Sequence, residues 1–569
     1  MFIHQLSSAG LKAKSGWVAG INHGSHDAAC ALTHEGNLVV WVEQERLSRN
    51  KHAIDESPAE SLEACLNFAG IGLNDLDAVA LGSDHQGLIN WLGDDPNRCA
   101  EVNSYSSANH LFPSQLFGDC HKPKVISIPH HLSHAASAFY PSGFESAVAI
   151  VMDAMGEQES TTIANCGNCG IHVSKTYDVD HSLGYFYETA TSFAGFNHQE
   201  AGKLMGLAAY GRPIYDLPLA PPSAEDDRIW RISGSETGFG RSRVVGRCSR
   251  LSTFFENVVF PFEGSIKGEP MAYRDFAASV QDVLERIVLS LAETAASEAG
   301  CRNIVLSGGV ALNCSANGKL ANSGIAERLF IQPASTDMGV ALGAALQLSK
   351  DLYGDSFHHM TMQHAYWGLS ETSDEIFKEV ELSGMPYRKL DEKSLVNEVA
   401  KAISAGEIVA WHQGRAEVGP RALGARSLLG DPRTRKTVVA MNKCKEREVW
   451  RPLAPSVPID SFDSFFDGVP NPFMIVSSNV RADVVKLIPA VTHIDGSARP
   501  QVVSKEDNEL YYSLLKRFEE IAGVPVLVNS SLNTRGEPIC YRARDSLSLL
   551  KRGAVNLLAV GEFLVGSFG

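Results

Sequence analysis

His130 and His134 stand four residues apart in Pro129-His130-His131-Leu132-Ser133-His134. On a helix that spacing places both imidazoles on one face, where they can share a metal ion. Two ordinary core or surface histidines show the same spacing, so the pair needs partners. Asp153 ends the apolar run Ala147-Val148-Ala149-Ile150-Val151-Met152. A carboxylate there needs a cation or donors, because burying it alone is costly. Asp337 precedes a small-residue helical stretch in Pro333-Ala334-Ser335-Thr336-Asp337-Met338-Gly339, where it reads as a ligand or as a helix N-cap. His26 and Asp27 lie in a turn between apolar segments. His26 is the candidate base of the site or a plain turn residue, and Asp27 is carried with it.

Glycines suggest a nucleotide. Ser307-Gly308-Gly309-Val310-Ala311-Leu312-Asn313 follows a strand and opens a helix. Backbone N–H groups at such a place can meet phosphate, and glycines let a ligand approach. Gly339 to Ala344 offers a second such turn. Lys203, in Glu200-Ala201-Gly202-Lys203-Leu204-Met205-Gly206, is a candidate catalytic residue placed where it could face a phosphate. None of these is a Walker loop or a dinucleotide fingerprint, and each also reads as an ordinary connection.

Basic density rises near residue 415. Arg415, Arg421 and Arg426 are interleaved with Gly414, Gly419, Pro420 and Gly424. Lys445, Arg447 and Arg451 follow. Arginine binds phosphate bidentately and lysine supplies a compact charge. A solvated charged helix accounts for Lys443 to Glu448, but not for arginines set among Gly and Pro. An oxyanion pocket is the reading adopted. Arg499, in Thr492-His493-Ile494-Asp495-Gly496-Ser497-Ala498-Arg499, and Ser530, at the end of a strand, join it.

Elements must hold these groups. Strands are expected at 17–32 and 38–42 around a turn at 34–37, then at 146–152, with hairpin segments over 162–179. Cys166-x-x-Cys169 reads as the hairpin turn, since no second pair stands at zinc-ribbon distance. A helix over 272–299 closes at Gly300. A short strand at 303–306 leads to the glycines, and a helix covers 339–348. Residues 352–373 are polar and irregular and read as a linker, with His358, His359 and His364 solvated rather than metal-bound. Beyond it, 390–406 is a helix, and 408–411, 485–488 and 525–529 are strands of a second α/β unit. No internal sequence repeat is evident.

The 569 residues suit two to four domains, and a net charge of −16 disfavours nonspecific binding to nucleic acid or anionic membrane. No apolar run is long enough to span a bilayer. Residues 1–16 lack a signal core, and eleven scattered cysteines argue for reduced thiols, so a cytoplasmic location is expected.

Taken together, these segments resemble the carbamoyltransferases of the nodulation-protein and antibiotic-tailoring type. The most specific pieces are the His130 segment through Pro141, Gly202 to Gly211, Gly419 to Ser427, Arg447 to Pro455, and Pro525 to Asn533. The resemblance implies an α/β protein with two domains. One, at 17–350, is of actin-like ATPase fold, like the tRNA threonylcarbamoyl transferases. The other, at 374–569, is YrdC-like, with the linker at 351–373. It implies that carbamoyl phosphate and ATP form carbamoyl-adenylate in the C-terminal domain. The N-terminal domain then moves the carbamoyl group to a hydroxyl of a small-molecule acceptor, such as an antibiotic sugar or macrolactam.

By the same resemblance, His130, His134, Asp153 and Asp337 hold Fe(II) or another divalent metal. Gly308, Gly309, Asn313 and Gly339 hold the adenylate. Arg421, Lys445, Arg447, Arg451, Arg499 and Ser530 hold carbamoyl phosphate and ATP, with Mg alongside. No nucleic-acid or membrane partner is implied, and the chain is a monomer or homodimer. The arginine cluster is expected to lie far from the metal. Ala154 stands where the family usually has glycine, which puts local geometry in doubt. The alternatives are a tRNA threonylcarbamoyl-type transferase and a non-enzymatic nucleotide switch of the actin and heat-shock-chaperone type. Acceptor loops are expected at 87–116 and 213–262.

Overall fold

A computed structural model describes residues 15–567, apart from 25, 93–95, 120, 218, 224, 225, 227, 230–254 and 256–268. Much of the second expected acceptor loop and most of residues 1–16 therefore lie outside the described residues.

The N-terminal part contains two five-stranded sheets. The first is built from β1 (Trp17–Asn22), β2 (Ala29–His34), β3 (Asn37–Glu43), β4 (Leu76–Leu81) and β5 (Val125–Ser127), in the order β3-β2-β1-β4-β5. The second is built from β6 (Ala147–Met152), β7 (Glu159–Gly167), β8 (Gly170–Asp178), β9 (Asn303–Ser307) and β10 (Arg328–Ile331). Its order, β8-β7-β6-β9-β10, repeats the first. In each sheet the first three strands run antiparallel to one another, and the last two run parallel to the first. This duplicated mixed sheet is the architecture of actin-like ATPases. Nothing in the sequence announces the repeat, because the two halves share topology rather than residues.

Helices His130–Phe139 and Met338–Tyr353 lie between the sheets. Each follows the last strand of its half, so Asp337 and His130 arrive from equivalent places. Small residues set the spacing between the two helices. A Cβ on Gly343 would stand 1.7 Å from the Ser133 carbonyl oxygen, and one on Gly20 of β1 would stand 2.0 Å from that of Ala341. Such contacts admit only glycine and draw the histidine helix onto the helix that begins after Asp337.

The C-terminal part is also mixed α/β. Its main sheet uses β11 (Tyr387–Lys389), β12 (Val409–His412), β13 (Arg426–Gly430), β14 (Ala454–Pro458), β18 (Gln501–Val503), β19 (Leu527–Ser531), β20 (Leu557–Val560) and β21 (Phe563–Gly566). A small sheet of β15 (Phe466–Asp467), β16 (Ser478–Val480) and β17 (Ser497–Ala498) stands apart. Helices Glu392–Ser404 and Glu509–Ala522 cover the main sheet, packing Val399, Ile403, Leu514 and Phe518 onto Trp411 and Leu527. Among the described residues, no helix is long and apolar enough to cross a membrane.

Three expectations need correction. The strand expected over 17–32 is two antiparallel strands, β1 ending at Asn22 and β2 starting at Ala29, because the chain turns back before Ala29. Residues 485–488 form turns, not a strand. Ile488 is fully buried there and Leu487 largely exposed, so the apolar run reflects one anchoring side chain rather than a strand. His358 is exposed as expected, but the other two histidines of 352–373 are not simply solvated. His359 packs edge-on to Phe139 and Tyr140, and His364 stacks on Tyr366 and Trp367. Cys166 and Cys169 do flank the β7–β8 turn, and the described cysteines are free thiols.

Candidate functional site

Four side chains converge at the ends of β6 and the two central helices. One ligand atom from each of His130, His134, Asp153 and Asp337 lies within 4.8 Å of the others. His130 Nε2 is 3.6 Å from an Asp153 oxygen and 3.5 Å from an Asp337 oxygen. The corresponding distances for His134 Nε2 are 3.8 and 3.7 Å. Both Nε2 atoms are buried and have no hydrogen-bond partner. Two imidazoles with orphaned nitrogens facing two carboxylates form the donor set a divalent cation needs. Burial alone would lower the His130 pKa, but the Asp337 and Asp153 carboxylates override it and hold it well above the ordinary value. Burial favours a protonated Asp337, yet the His130 and His134 imidazoles hold its carboxyl well below the usual range.

A second layer orients these groups. His130 Nδ1 faces the Gly82 carbonyl at 3.2 Å, which leaves Nε2 as the free lone pair. Glu157 accepts the His130 N–H at 3.0 Å and the Asp84 N–H at 2.6 Å. Its carboxylate thus caps the histidine helix where a negative charge is favoured. The Gly309 N–H donates to Asp153 at 3.1 Å. Gly184 gives the Asp153-Ala154 backbone room, since a Cβ there would stand 2.5 Å from the Ala154 nitrogen. Neither Glu157 nor His52 is marked by a local sequence pattern; their roles come from contacts the fold makes.

His26 lies at the edge of the cluster, 45% exposed, with Nδ1 3.5 Å from Asp27 and 3.9 Å from Asp337. Burial acts to lower its pKa, but Asp27 and Asp337 raise it to about 10. Asp27 is buried, has φ +55°, and also pairs with His52 Nδ1 at 3.2 Å.

The cations form a second group. Burial and the neighbouring Arg499 and Arg451 push Arg421 down to about 9. Burial, Arg451 and Arg499 push Arg447 down to about 9 as well. Burial, Arg447 and Arg451 hold Lys445 well below its ordinary value. These cations depress one another, which marks a pocket short of anions. The Nε atoms of Arg421 and Arg499 are buried without partners. Lys445 is pinned by Asn533 Oδ1 at 2.7 Å and Ser531 Oγ at 3.0 Å. Arg415 and Arg426 take another course. Arg426 donates to four backbone carbonyls, and Arg415 holds those of Gly368, Val39 and Trp367. Of the three arginines set among glycines, Arg421 alone reaches the cavity wall.

One cavity of about 610 Å³ joins the two groups. Asp27, His52 and Asp153 line it on one side, and Arg421, Lys445, Arg447, Arg451, Arg499 and Ser530 on the other. The arginine cluster is therefore not distant from the metal-ligand cluster: Asp153, one of the four ligand residues, lines the same cavity. Gly309 and Asn313 also line it. Asn313 has its side chain engaged, accepting from Ala316 N at 3.0 Å and exchanging bonds with Gln281 at 2.9 Å. Gly308 and Gly339 answer to packing. A Cβ would stand 2.2 Å from the Met152 oxygen at Gly308, and 2.3 Å from the Ala334 oxygen at Gly339.

Lys203 lines the cavity but is not open to a phosphate. Its ammonium is taken by Glu200 at 2.7 Å and Glu448 at 2.9 Å, and so ties the N-terminal part to the C-terminal one. Lys203→Met should lower the urea unfolding free energy by about 1–3 kcal/mol, between the values for exposed and buried pairs. Unchanged stability with a raised KM for ATP would return Lys203 to the phosphate role.

Comparison with known proteins bears on this arrangement. Residues 18–346 match the family model described as carbamoyltransferase N-terminus, and residues 400–567 match carbamoyltransferase C-terminus. The nodulation protein NolNO of Sinorhizobium fredii is 32% identical over 95% of this chain and 79% of its own length. An uncharacterised protein of Synechocystis sp. is 34% identical over 96% of each chain. The 3'-hydroxymethylcephem-O-carbamoyltransferase of Amycolatopsis lactamdurans is 33% identical over 64% of each chain. With both halves matched in order around the shared cavity, the chain belongs to the carbamoyltransferase family and is an enzyme of that class.

Proposed function

We propose that this enzyme is an ATP-dependent O-carbamoyltransferase that makes carbamoyl-adenylate and passes its carbamoyl group to a hydroxyl of a secondary metabolite. The observation that carries the reading is the single cavity, with mutually crowded cations at one end, the Nε atoms of Arg421 and Arg499 lacking partners, and Asp153 of the carboxylate–imidazole cluster at the other. In overall balance, carbamoyl phosphate, ATP and water give carbamoyl-adenylate, pyrophosphate and phosphate. The acceptor hydroxyl then displaces AMP and loses its proton.

Arg421, Lys445, Arg447, Arg451, Arg499 and Ser530 bind the anions of the first step. Their task is charge neutralisation and alignment, which dominates phosphoryl and adenylyl chemistry. Gly309 and Asn313 form the wall along which the adenylate lies. His130, His134, Asp153 and Asp337 would hold a divalent metal, and their N and O donors suit iron, manganese and zinc. When bound, such a cation supplies Lewis-acid polarisation of a carbonyl oxygen. His26, steadied by Asp27, is assigned to receive the acceptor's proton. Asp27 and Asp337 both raise the pKa of its imidazole, so accepting a proton requires both charges to be engaged elsewhere, that of Asp337 by a cation and that of Asp27 by His52.

The test is direct. The enzyme, ATP and carbamoyl phosphate are incubated with a panel of hydroxylated metabolites, and products are read by mass spectrometry. A gain of one carbamoyl group at a hydroxyl is expected. Transfer only to an RNA-borne group would replace this reading with the tRNA one.

The cation cluster also sets a pH dependence. Burial and the neighbouring Arg447 and Arg451 hold Lys445 well below its ordinary value, so rising pH discharges it first while the arginines stay charged. In the free enzyme, kcat/KM for ATP is expected to fall on the alkaline side, and Lys445→Arg should flatten that limb. An unchanged alkaline limb in Lys445→Arg would remove Lys445 from ATP binding.

A further inference from the structure

Glu43 ends β3, is 2% exposed, and does not line the cavity. Both its oxygens are used. One accepts the Gly419 N–H and the other accepts Arg46 Nε. Arg46, itself buried, donates from a terminal nitrogen to the Gly419 carbonyl at 2.7 Å. The Gly419 peptide is thus gripped at both its N–H and its carbonyl by two side chains remote in sequence. Its φ is +89°, and a Cβ there would stand 2.7 Å from the Pro333 oxygen and 3.3 Å from Ala334 Cα. Pro333 and Ala334 open the short segment that delivers Asp337, and Arg421 lies two residues beyond Gly419. A second branch leaves Arg46 through Glu45 at 3.4 Å. Glu45 accepts the His52 N–H at 2.7 Å, and His52 meets Asp27 at 3.2 Å.

Resting on the function proposed above, we infer that Glu43 and Gly419 are positioning residues. They lock the loop carrying Arg421 to the segment carrying Asp337, and so hold the two ends of the cavity in register for the passage of carbamoyl-adenylate. The physical need is clear. A shift of about 1 Å in a reacting group can cost roughly 10²-fold in rate. A left-handed backbone held by a buried ion pair fixes such a loop better than surface contacts do.

The test uses Glu43→Gln, which keeps an oxygen for the Gly419 amide but loses the charge facing Arg46. Gly419→Ala perturbs the same loop from its other side. Full-length enzyme is assayed with ATP, carbamoyl phosphate and an acceptor, reading KM and the ratio of carbamoylated product to pyrophosphate. Both variants are expected to raise KM for ATP and carbamoyl phosphate by about 10-fold. The product ratio should fall from near one to below about one half, as adenylate is lost to water. If both variants only lower stability, with product and pyrophosphate falling together at unchanged KM, Glu43 is a structural residue and the inference is wrong. If wild-type enzyme releases no carbamoyl phosphate-dependent pyrophosphate, the underlying function fails instead.

Discussion

His130→Ala is expected to lower carbamoyl transfer by at least about 10²–10³-fold while leaving pyrophosphate release within a few-fold of wild type. The imidazole supplies one of the four converging ligand atoms and fixes its tautomer through the Gly82 carbonyl. Removing it leaves Asp153 and Asp337 as close carboxylates with one fewer partner, so a bound cation should weaken as well. Metal content measured beside the two activities separates this from a folding defect. His130 does not line the cavity where the cations stand, which is why the first step should survive. Equal loss of both activities in a folded variant would mean that the two groups serve one step.

Arg421→Ala should show the reverse. Its guanidinium is crowded by Arg499 and Arg451 and carries a buried Nε without a partner. That repulsion is relieved when an anion binds, so the residue should contribute strongly to holding a polyphosphate. Pyrophosphate release is expected to fall about 10²-fold or more, and carbamoyl transfer with it. When chemically prepared carbamoyl-adenylate is supplied, transfer should return to near the wild-type rate. Failure of that rescue would place Arg421 in the transfer step.

Much of this was legible in the chain. The spacing of His130 and His134, an aspartate closing an apolar strand, and a second before a small-residue helix are local signals of convergence. The buried strands β6 and β9 and the helix ended by Gly300 follow from apolar runs and a left-handed cap. Residues acting through long-range contacts were not legible. Glu157 reaches back to His130, and Glu43 reaches forward to Gly419, and no local pattern marks either. Glycines are ambiguous for a related reason. Gly308 and Gly339 look like phosphate turns in sequence, yet each is demanded by a neighbouring carbonyl. Charge is ambiguous too, because Arg426 looks like a pocket cation until its backbone partners are known, and Lys203 lines the cavity with its ammonium already paired. The single cavity joins residues hundreds of positions apart, and only the fold brings them together.

The central claim is that ATP is spent to make an adenylate of the carbamoyl group. Nucleotide products resolved by chromatography, with and without carbamoyl phosphate, test it most directly. AMP and pyrophosphate, formed only when carbamoyl phosphate is present and in equal amount to the carbamoylated product, are the predicted result. ADP and phosphate formed regardless of carbamoyl phosphate, or carbamoyl transfer that proceeds without ATP, would contradict it.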